Sequence, residues 1–145
     1  MDDRFLGRMP ILLLVWAVAA TAQAFNVSAT SENPLVPDAA LRSATLQAAT
    51  DIGNRIPDDP NVKVTVFSRA VPTKTDPGRY VYLHRVELRR AFNAGPPYPY
   101  AGWLPIETVE RYGVGSEAEV RAKLDESLRT FFTELKPVDP SVGFK

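Results

Sequence analysis

The chain has 145 residues, 17 basic and 17 acidic side chains and no cysteine, so its formal net charge is zero. The neutral balance argues against a protein that binds nucleic acid or anionic membranes through its overall field. The lack of cysteine excludes disulfides and a cysteine-linked lipid anchor. Hydrophobic residues make up 45% of the chain, which indicates a folded core.

Residues 1–24 have the features of a secretory signal peptide. The apolar run 11–20 is too short to span a bilayer comfortably, and Ala22-Gln23-Ala24 matches an A-x-A cleavage pattern. Asp2 and Asp3 offset the basic residues before the apolar run, so an uncleaved membrane anchor is the alternative. With cleavage, we expect an exported protein, periplasmic or secreted, without stable membrane insertion.

Residues 25–37 are mostly small and polar, and they predict either a flexible leader or an edge strand. Helical spacing of apolar residues begins at Asp38, which is suited to an N-cap, and Gly53 is suited to end the helix. We therefore predict a helix over 38–53. Its apolar stripe consists mostly of alanine, so we expect it to lie close to a sheet.

Two alternating runs predict a hairpin with strands 62–70 and 79–91, because successive strand residues point to opposite faces. His84, the only histidine, falls on the core face of the second strand. Pairing Phe67 near Val81 would place Val64 opposite His84. The residues of the second strand past Leu88 would then overhang the start of the first strand at Pro60. A third strand from the leader or the tail is predicted to pair there; otherwise the edge stays open to a partner chain.

Residues 93–103 contain three prolines, two glycines and three aromatics, which predicts an ordered loop. Pro105 then favours a short helix over 105–112. Ser116 and Glu119 have the spacing of a capping box, and the following apolar residues recur at helical intervals, so a long helix is predicted over 116–136. Its apolar stripe is Val120, Leu124, Leu128, Phe131 and Leu135.

These elements predict a single α+β domain over 38–136, followed by a C-terminal tail, 137–145. Its architecture is two-layered: a small antiparallel sheet, consisting of the hairpin and a possible third strand, covered by helices 38–53 and 116–136.

No residue pattern indicates a catalytic, cofactor or metal site. His84 has no carboxylate beside it on its strand face, so we interpret it as structural. With one histidine and no cysteine, a metal site would need carboxylates and carbonyls. No group of acidic residues has the spacing of a calcium-binding loop. Glu107 and Glu110 are interpreted as a solvated helix face. Residues 113–116 lack the third glycine and the lysine of a phosphate loop, which favours a capped turn between helices.

Two binding surfaces remain. The first is the outer face of the hairpin, where Phe67, Val81 and Leu83 would form an apolar patch beside the charged residues Arg85, Glu87 and Arg89. The second is the loop that carries Tyr98, Tyr100 and Trp103. The alternatives are that the short helix or the loop covers the patch, and that the loop is tucked onto the sheet.

We therefore expect an exported, non-enzymatic domain that binds another macromolecule, either a protein partner or a second copy through a sheet edge, and no nucleic acid or cofactor. The first alternative is a small-ligand carrier, with Tyr82 and His84 lining a pocket under the aromatic loop. The second is a hydrolase centred on His84.

Overall fold

The computed structural model places a four-stranded sheet against two helices, which confirms the predicted two-layer α+β architecture. It describes residues 25–53, 56–97 and 100–135. The elements are β1 (Asn26–Glu32), α1 (Asp38–Ile52), β2 (Val62–Pro72), β3 (Arg79–Asn93), β4 (Ala101–Ser116) and α2 (Glu117–Glu134). The predicted signal peptide and C-terminal tail lie outside the described residues.

The strand order is β1-β2-β3-β4, with β1 parallel to β2 and the other neighbours antiparallel. The sheet is therefore mixed, where the sequence predicted an antiparallel one. The leader forms an edge strand. Since α1 carries the chain back across one face of the sheet, β2 starts at the same end as β1, and the two strands run parallel.

The hairpin register differs from the prediction. Phe67 pairs with Arg85, and Val64 pairs with Leu88 rather than with His84. The strands continue closer to the turn than expected, because the Thr73 N–H donates to the Arg79 carbonyl at 2.9 Å. The predicted overhang of the second strand is thus shorter, and β4 pairs with it.

β4 replaces the predicted helix over 105–112, which was wrong. This stretch and its continuation contain β-branched and aromatic residues that favour strands: Ile106, Thr108, Val109, Tyr112 and Val114. β3 needs a partner along its whole length, and β4 pairs with it from Ser116 back to Ala101. Pro105 lies where the register shifts between Leu88 and Arg89. Proline is tolerated there because edge strands and bulges leave a backbone N–H unused.

The core lies between the helices and the inner face of the sheet. The predicted core face is confirmed, since Val64, Val66 and Val86 have no exposed surface. The stripe of α2 is also buried as predicted, and Phe25 joins it through an edge-on contact with Phe132 at 6.0 Å. Neither helix of the described chain is long and apolar enough to cross a membrane.

The helix ends follow local side-chain chemistry. Ser116 Oγ accepts from Glu119 N–H at 3.3 Å, and Glu119 Oε2 accepts from Ser116 N–H at 2.7 Å, which confirms the capping box. Pro37, rather than Asp38, is the N-cap of α1. Gly53, at φ 85°, follows the last residue of α1 as predicted.

Candidate functional site

The outer face of the sheet, opposite the helices, carries an exposed apolar surface. Side-chain alternation and strand register bring six apolar residues together at one end, and we call this group the outer patch: Phe67, Val71, Val81, Leu83, Tyr112 and Val114. The exposed fractions are 78% for Tyr112, 53% for Val114, 52% for Val81 and 46% for Val71. Several of these residues line a shallow groove of about 640 Å³. No described element covers it.

The structure places the predicted contact residues of the hairpin in two groups. Phe67, Val81 and Leu83 belong to the outer patch. The charged residues beside them are paired within the chain: Arg85 Nε donates to Glu110 Oε2 at 2.6 Å, and Arg89 Nε donates to Glu87 Oε2 at 2.6 Å. Glu87 is buried by this arrangement. The patch is thus apolar with internally neutralised charges around it.

Half of the outer patch was missed from the sequence. Tyr112 and Val114 were assigned to a helix and its following turn, and Val71 fell just beyond the predicted first strand. The available signal was the period of two between Tyr112 and Val114, together with a high content of β-branched residues.

The aromatic loop stands clear of the outer patch. Tyr100 is largely exposed, and Trp103 lies on the outer face at the far end of β4, where Lys63 Nζ is 4.0 Å from its ring centroid. Trp103 pairs with Ala91, whereas Tyr112 pairs with Leu83. Tyr98 lies outside the described residues. For the described part of the loop, the structure does not support a lid over the patch.

Backbone hydrogen bonds show where β3 directs its peptide groups. Thr73 N–H donates to the Arg79 carbonyl, as described above. At the other end, Ala91 N–H donates to the Asn61 carbonyl at 2.8 Å. The odd-numbered residues of β3 therefore bond to β2. Since bonded and non-bonded pairs alternate in an antiparallel ladder, the even-numbered residues bond to β4.

This alternation leaves an open edge on β4. The even-numbered residues of β3 pair with Val109, Arg111 and Gly113, which use their backbone groups inside the sheet. The residues that direct their N–H and C=O groups outward are Thr108, Glu110 and Tyr112. Within the described ranges, no side chain bonds to these outward groups. The carbonyl of Val114, farther along, accepts from Arg79 Nη2 at 3.2 Å.

The opposite edge of the sheet, on β1, is covered at two points by side chains of α1. Asp38 Oδ1 accepts from the outward Ser31 N–H at 2.6 Å, and the Arg42 guanidinium donates to the outward carbonyl of Val27. Unpaired edges invite pairing with another chain, and covering them with a helix is one way in which proteins prevent it. Over residues 108–112, the β4 edge of the described sheet lacks such cover.

His84 is wholly buried between the sheet and α2. Its Nε2 lies 3.0 Å from the Val120 carbonyl and its Nδ1 lies 3.0 Å from Ser68 Oγ. A carbonyl only accepts, so Nε2 carries the proton and Nδ1 accepts from the serine hydroxyl. Ser68 Oγ in turn accepts from Asn33 Nδ2 at 3.0 Å, and Tyr82 stacks on the imidazole at 5.1 Å. The side-chain polar groups of Ser68 and His84 therefore each have a partner.

The serine and histidine meet, but in an arrangement unsuited to hydrolysis. Ser68 and His84 have no exposed surface, so a substrate has no access to the hydroxyl. A backbone carbonyl, not a carboxylate, orients the imidazole, whereas hydrolytic triads use an acid there. Tyr82 and His84 also lie on the inner face and Trp103 on the outer face. They therefore do not line the common pocket expected for a small-ligand carrier.

Burial lowers the pKa of His84 below its ordinary value of 6.5, and the Val120 hydrogen bond opposes this shift without cancelling it. Above pH 6.5 the imidazole is neutral in both states, and the stability of the folded chain is fully present. Below pH 6.5 the imidazole of the unfolded chain binds a proton, whereas that of the folded chain stays neutral to a lower pH. Stability should therefore fall with decreasing pH, by up to about 1.4 kcal/mol per pH unit.

Urea denaturation between about pH 5 and about pH 7.5 measures this slope, in a range above the titration of ordinary carboxyl groups. In His84→Gln, the slope of unfolding free energy against pH should decrease by up to about 1.4 kcal/mol per pH unit, which is the contribution of one proton. An equal slope in the variant and the natural protein would assign the pH dependence to other groups.

The remaining sequence candidates have structural roles. Glu107 and Glu110 lie on opposite faces of β4, not on a helix face. A Cβ at Gly113 would lie 2.9 Å from Tyr82 Oη, and a Cβ at Gly115 would lie 2.9 Å from Glu119 Cβ. These glycines make room for the ring over His84 and for the capping box. The predicted turn between helices is thus a direct passage from β4 into α2.

Within residues 25–53, 56–97 and 100–135, no three histidine or acidic side chains come together in a group that could hold a metal ion. No family model, curated protein or solved structure matches this chain.

Proposed function

We propose that this chain is an exported, non-enzymatic protein-binding domain. An extended segment of a protein partner adds as a strand to the β4 edge, and its apolar side chains lie on the outer patch. The observation that carries the proposal is the contrast between the two sheet edges: α1 side chains bond to two outward backbone groups of β1, whereas the outward groups of Thr108, Glu110 and Tyr112 are open.

The outer patch supports this mode of recognition. In strand addition, main-chain hydrogen bonds give affinity, and contacts with alternate side chains give specificity. Tyr112 and Val114 belong both to the open strand and to the patch, so an added strand would run directly alongside exposed apolar surface. The nearby Arg85 and Glu110 neutralise each other, which favours a partner segment with apolar rather than charged side chains.

Two further observations support the other parts of the proposal. The only histidine is buried and fully hydrogen-bonded, with no route for a substrate, which favours binding over catalysis. The signal-like features of residues 1–24 support export to the periplasm or the exterior.

Thr108→Pro tests strand addition directly. Its N–H points outward, so proline removes a donor from the open edge without removing a bond to β3. Peptides can be selected from a random phage-displayed library, with protein purified from cells that express the full chain as the target. The selected peptides should carry apolar residues at every second position. They should bind Thr108→Pro at least about tenfold more weakly, as expected when an edge pairing is lost.

Thr108→Val is the matched control, because it keeps the N–H and the strand preference of the position. Selected peptides should bind it as they bind the natural protein. Peptides that bind the proline and valine variants equally well would contradict recognition through the β4 edge.

A further inference from the structure

The open β4 edge has a charge pattern that complements itself. Glu107 and Arg111 both lie on the inner face and flank Val109 at two residues on either side. The Arg111 guanidinium contacts two side chains of α2, Glu126 at 3.1 Å and Thr130 at 3.4 Å, and its side chain stays partly exposed. Glu107 is exposed and forms no ion pair with any described residue. An acid and a base placed symmetrically about one residue are suited to an antiparallel copy of the same strand.

We propose that the partner strand at this edge is β4 of a second copy of the chain. The two strands run antiparallel about a two-fold axis through Val109, which continues the four-stranded sheet into one of eight strands. This inference rests on the proposed strand addition and names its occupant.

The backbone directions allow this register. Thr108 and Glu110 point their peptide groups outward, so each exchanges hydrogen bonds with the other residue in the second copy. Val109 lies between them, in a non-bonded pair with the second copy's Val109. Glu107 then lies opposite the second copy's Arg111, and the two-fold axis makes this charge pair twice.

Neighbouring registers lack this complementarity. Sliding the second copy so that the axis passes through Glu110 places that carboxylate opposite its own copy. An axis through Arg111 places two guanidinium groups together, and like charges directly opposite each other destabilise a strand pair. An axis through Thr108 leaves Glu107 opposite Val109. Only the register centred on Val109 pairs unlike charges.

The outer face of the strand fits the same register. It places Tyr112, which is 78% exposed in the single chain, alongside the other copy's bulge at Ile106, a residue that is 45% exposed and has no pairing partner in β3. The two outer patches come to lie on one continuous sheet face. The second copy therefore lies beside Tyr112, the most exposed aromatic side chain of each patch.

A single introduced cysteine tests the register, because the chain contains none. In Val109→Cys, the two Cα atoms of this non-bonded pair would lie about 4.5 Å apart across the axis, within the range of roughly 4.4–6.8 Å that a disulfide spans. Mild oxidation of protein from the full-length gene should convert it largely to a covalent dimer. Val114→Cys is the control: it is more exposed, but lies opposite residue 104, roughly 30 Å from its own copy.

Equal or faster cross-linking of Val114→Cys would overturn the register, because random collisions favour the more exposed thiol. Failure of Val109→Cys to cross-link would also overturn it.

Charge reversal gives an independent measurement. In a dimer of Glu107→Lys, the new lysine of each copy would lie opposite Arg111 of the other, which makes two repulsive pairs. Dimerisation should therefore weaken at least about tenfold, as measured by light scattering after size-exclusion chromatography. Arg111→Glu should weaken in the same way. A mixture of the two variants should recover the dimer, since both charge pairs are then attractive. Circular dichroism verifies that each variant folds, and Glu107→Lys alone suffices if Arg111→Glu does not.

These results separate the two proposals. A chain that stays monomeric at all concentrations but binds library peptides in a Thr108-dependent way overturns self-pairing and retains strand addition. Peptide binding that is unaffected by Thr108→Pro overturns strand addition itself.

Discussion

Replacing His84 with alanine is expected to lower the free energy of unfolding by roughly 3–5 kcal/mol. The change removes a wholly buried imidazole, leaves a cavity beside Tyr82 and takes away the partner of Ser68 Oγ. Buried polar groups without partners cost about 1–3 kcal/mol in addition to the cavity. Urea denaturation at neutral pH measures the loss.

Arg85→Ala is the matched control, because Arg85 is the next residue of β3 and lies on the opposite face. Its ion pair with Glu110 is half-exposed, and such pairs contribute at most about 1 kcal/mol. If His84→Ala cost no more than Arg85→Ala, the buried cluster of His84 and Ser68 would not be important for stability.

Phe131→Ala should cause a loss of similar size, roughly 3–5 kcal/mol. Phe131 is only 2% exposed and contacts Phe132 edge-on at 5.1 Å, so its removal leaves a cavity where α2 meets the core. The same denaturation experiment measures the change.

Tyr112→Ala is the comparison for this variant, since Tyr112 is also aromatic but lies in the outer patch. It should cost less than about 1 kcal/mol of stability, as usual for surface substitutions, while weakening partner binding. A loss of stability comparable with that of Phe131→Ala would mean that Tyr112 packs into the fold, and the outer patch would lose its central member as a contact residue.

Together these variants assign different roles to the two faces of the sheet. The inner face holds the apolar core and the His84 cluster, so substitutions there should act on stability. The outer face holds exposed apolar side chains and locally paired charges, so substitutions there should act on binding. The β4 edge is the exception: in the proposed dimer both of its faces act on binding, since the inner face supplies Glu107 and Arg111 and the outer face supplies Tyr112.

Local sequence patterns correctly predicted the elements that are specified by residues close together in the chain. The apolar stripe of α2 and the Ser116 capping box mark a helix without reference to the rest of the chain. Strict alternation in β2 and β3 identified the hairpin and the core face that contains His84. The outer positions of Phe67, Val81 and Leu83 followed from the same alternation.

The missed parts depend on long-range pairing. The stretch from Ile106 to Tyr112 allows apolar spacings of three, and Pro105 suits a first helical turn, so the helical interpretation was locally consistent. Its strand state is decided by β3, a strand of fifteen residues whose backbone groups on the side away from β2 need a partner. The observed hairpin register also differs from the predicted one, because the turn between β2 and β3 is shorter than its glycine- and proline-rich sequence suggested.

The amino-acid sequence by itself determined two amphipathic helices, one hairpin and a buried histidine, because hydrophobic periodicity and capping act within a few residues. Tertiary structure alone decided that β1 runs parallel to β2 and that α1 side chains cover its edge. It also decided that 101–116 is a strand with an open edge. Backbone hydrogen bonds between strands join residues far apart in sequence, so no local pattern specifies which edge remains unpaired.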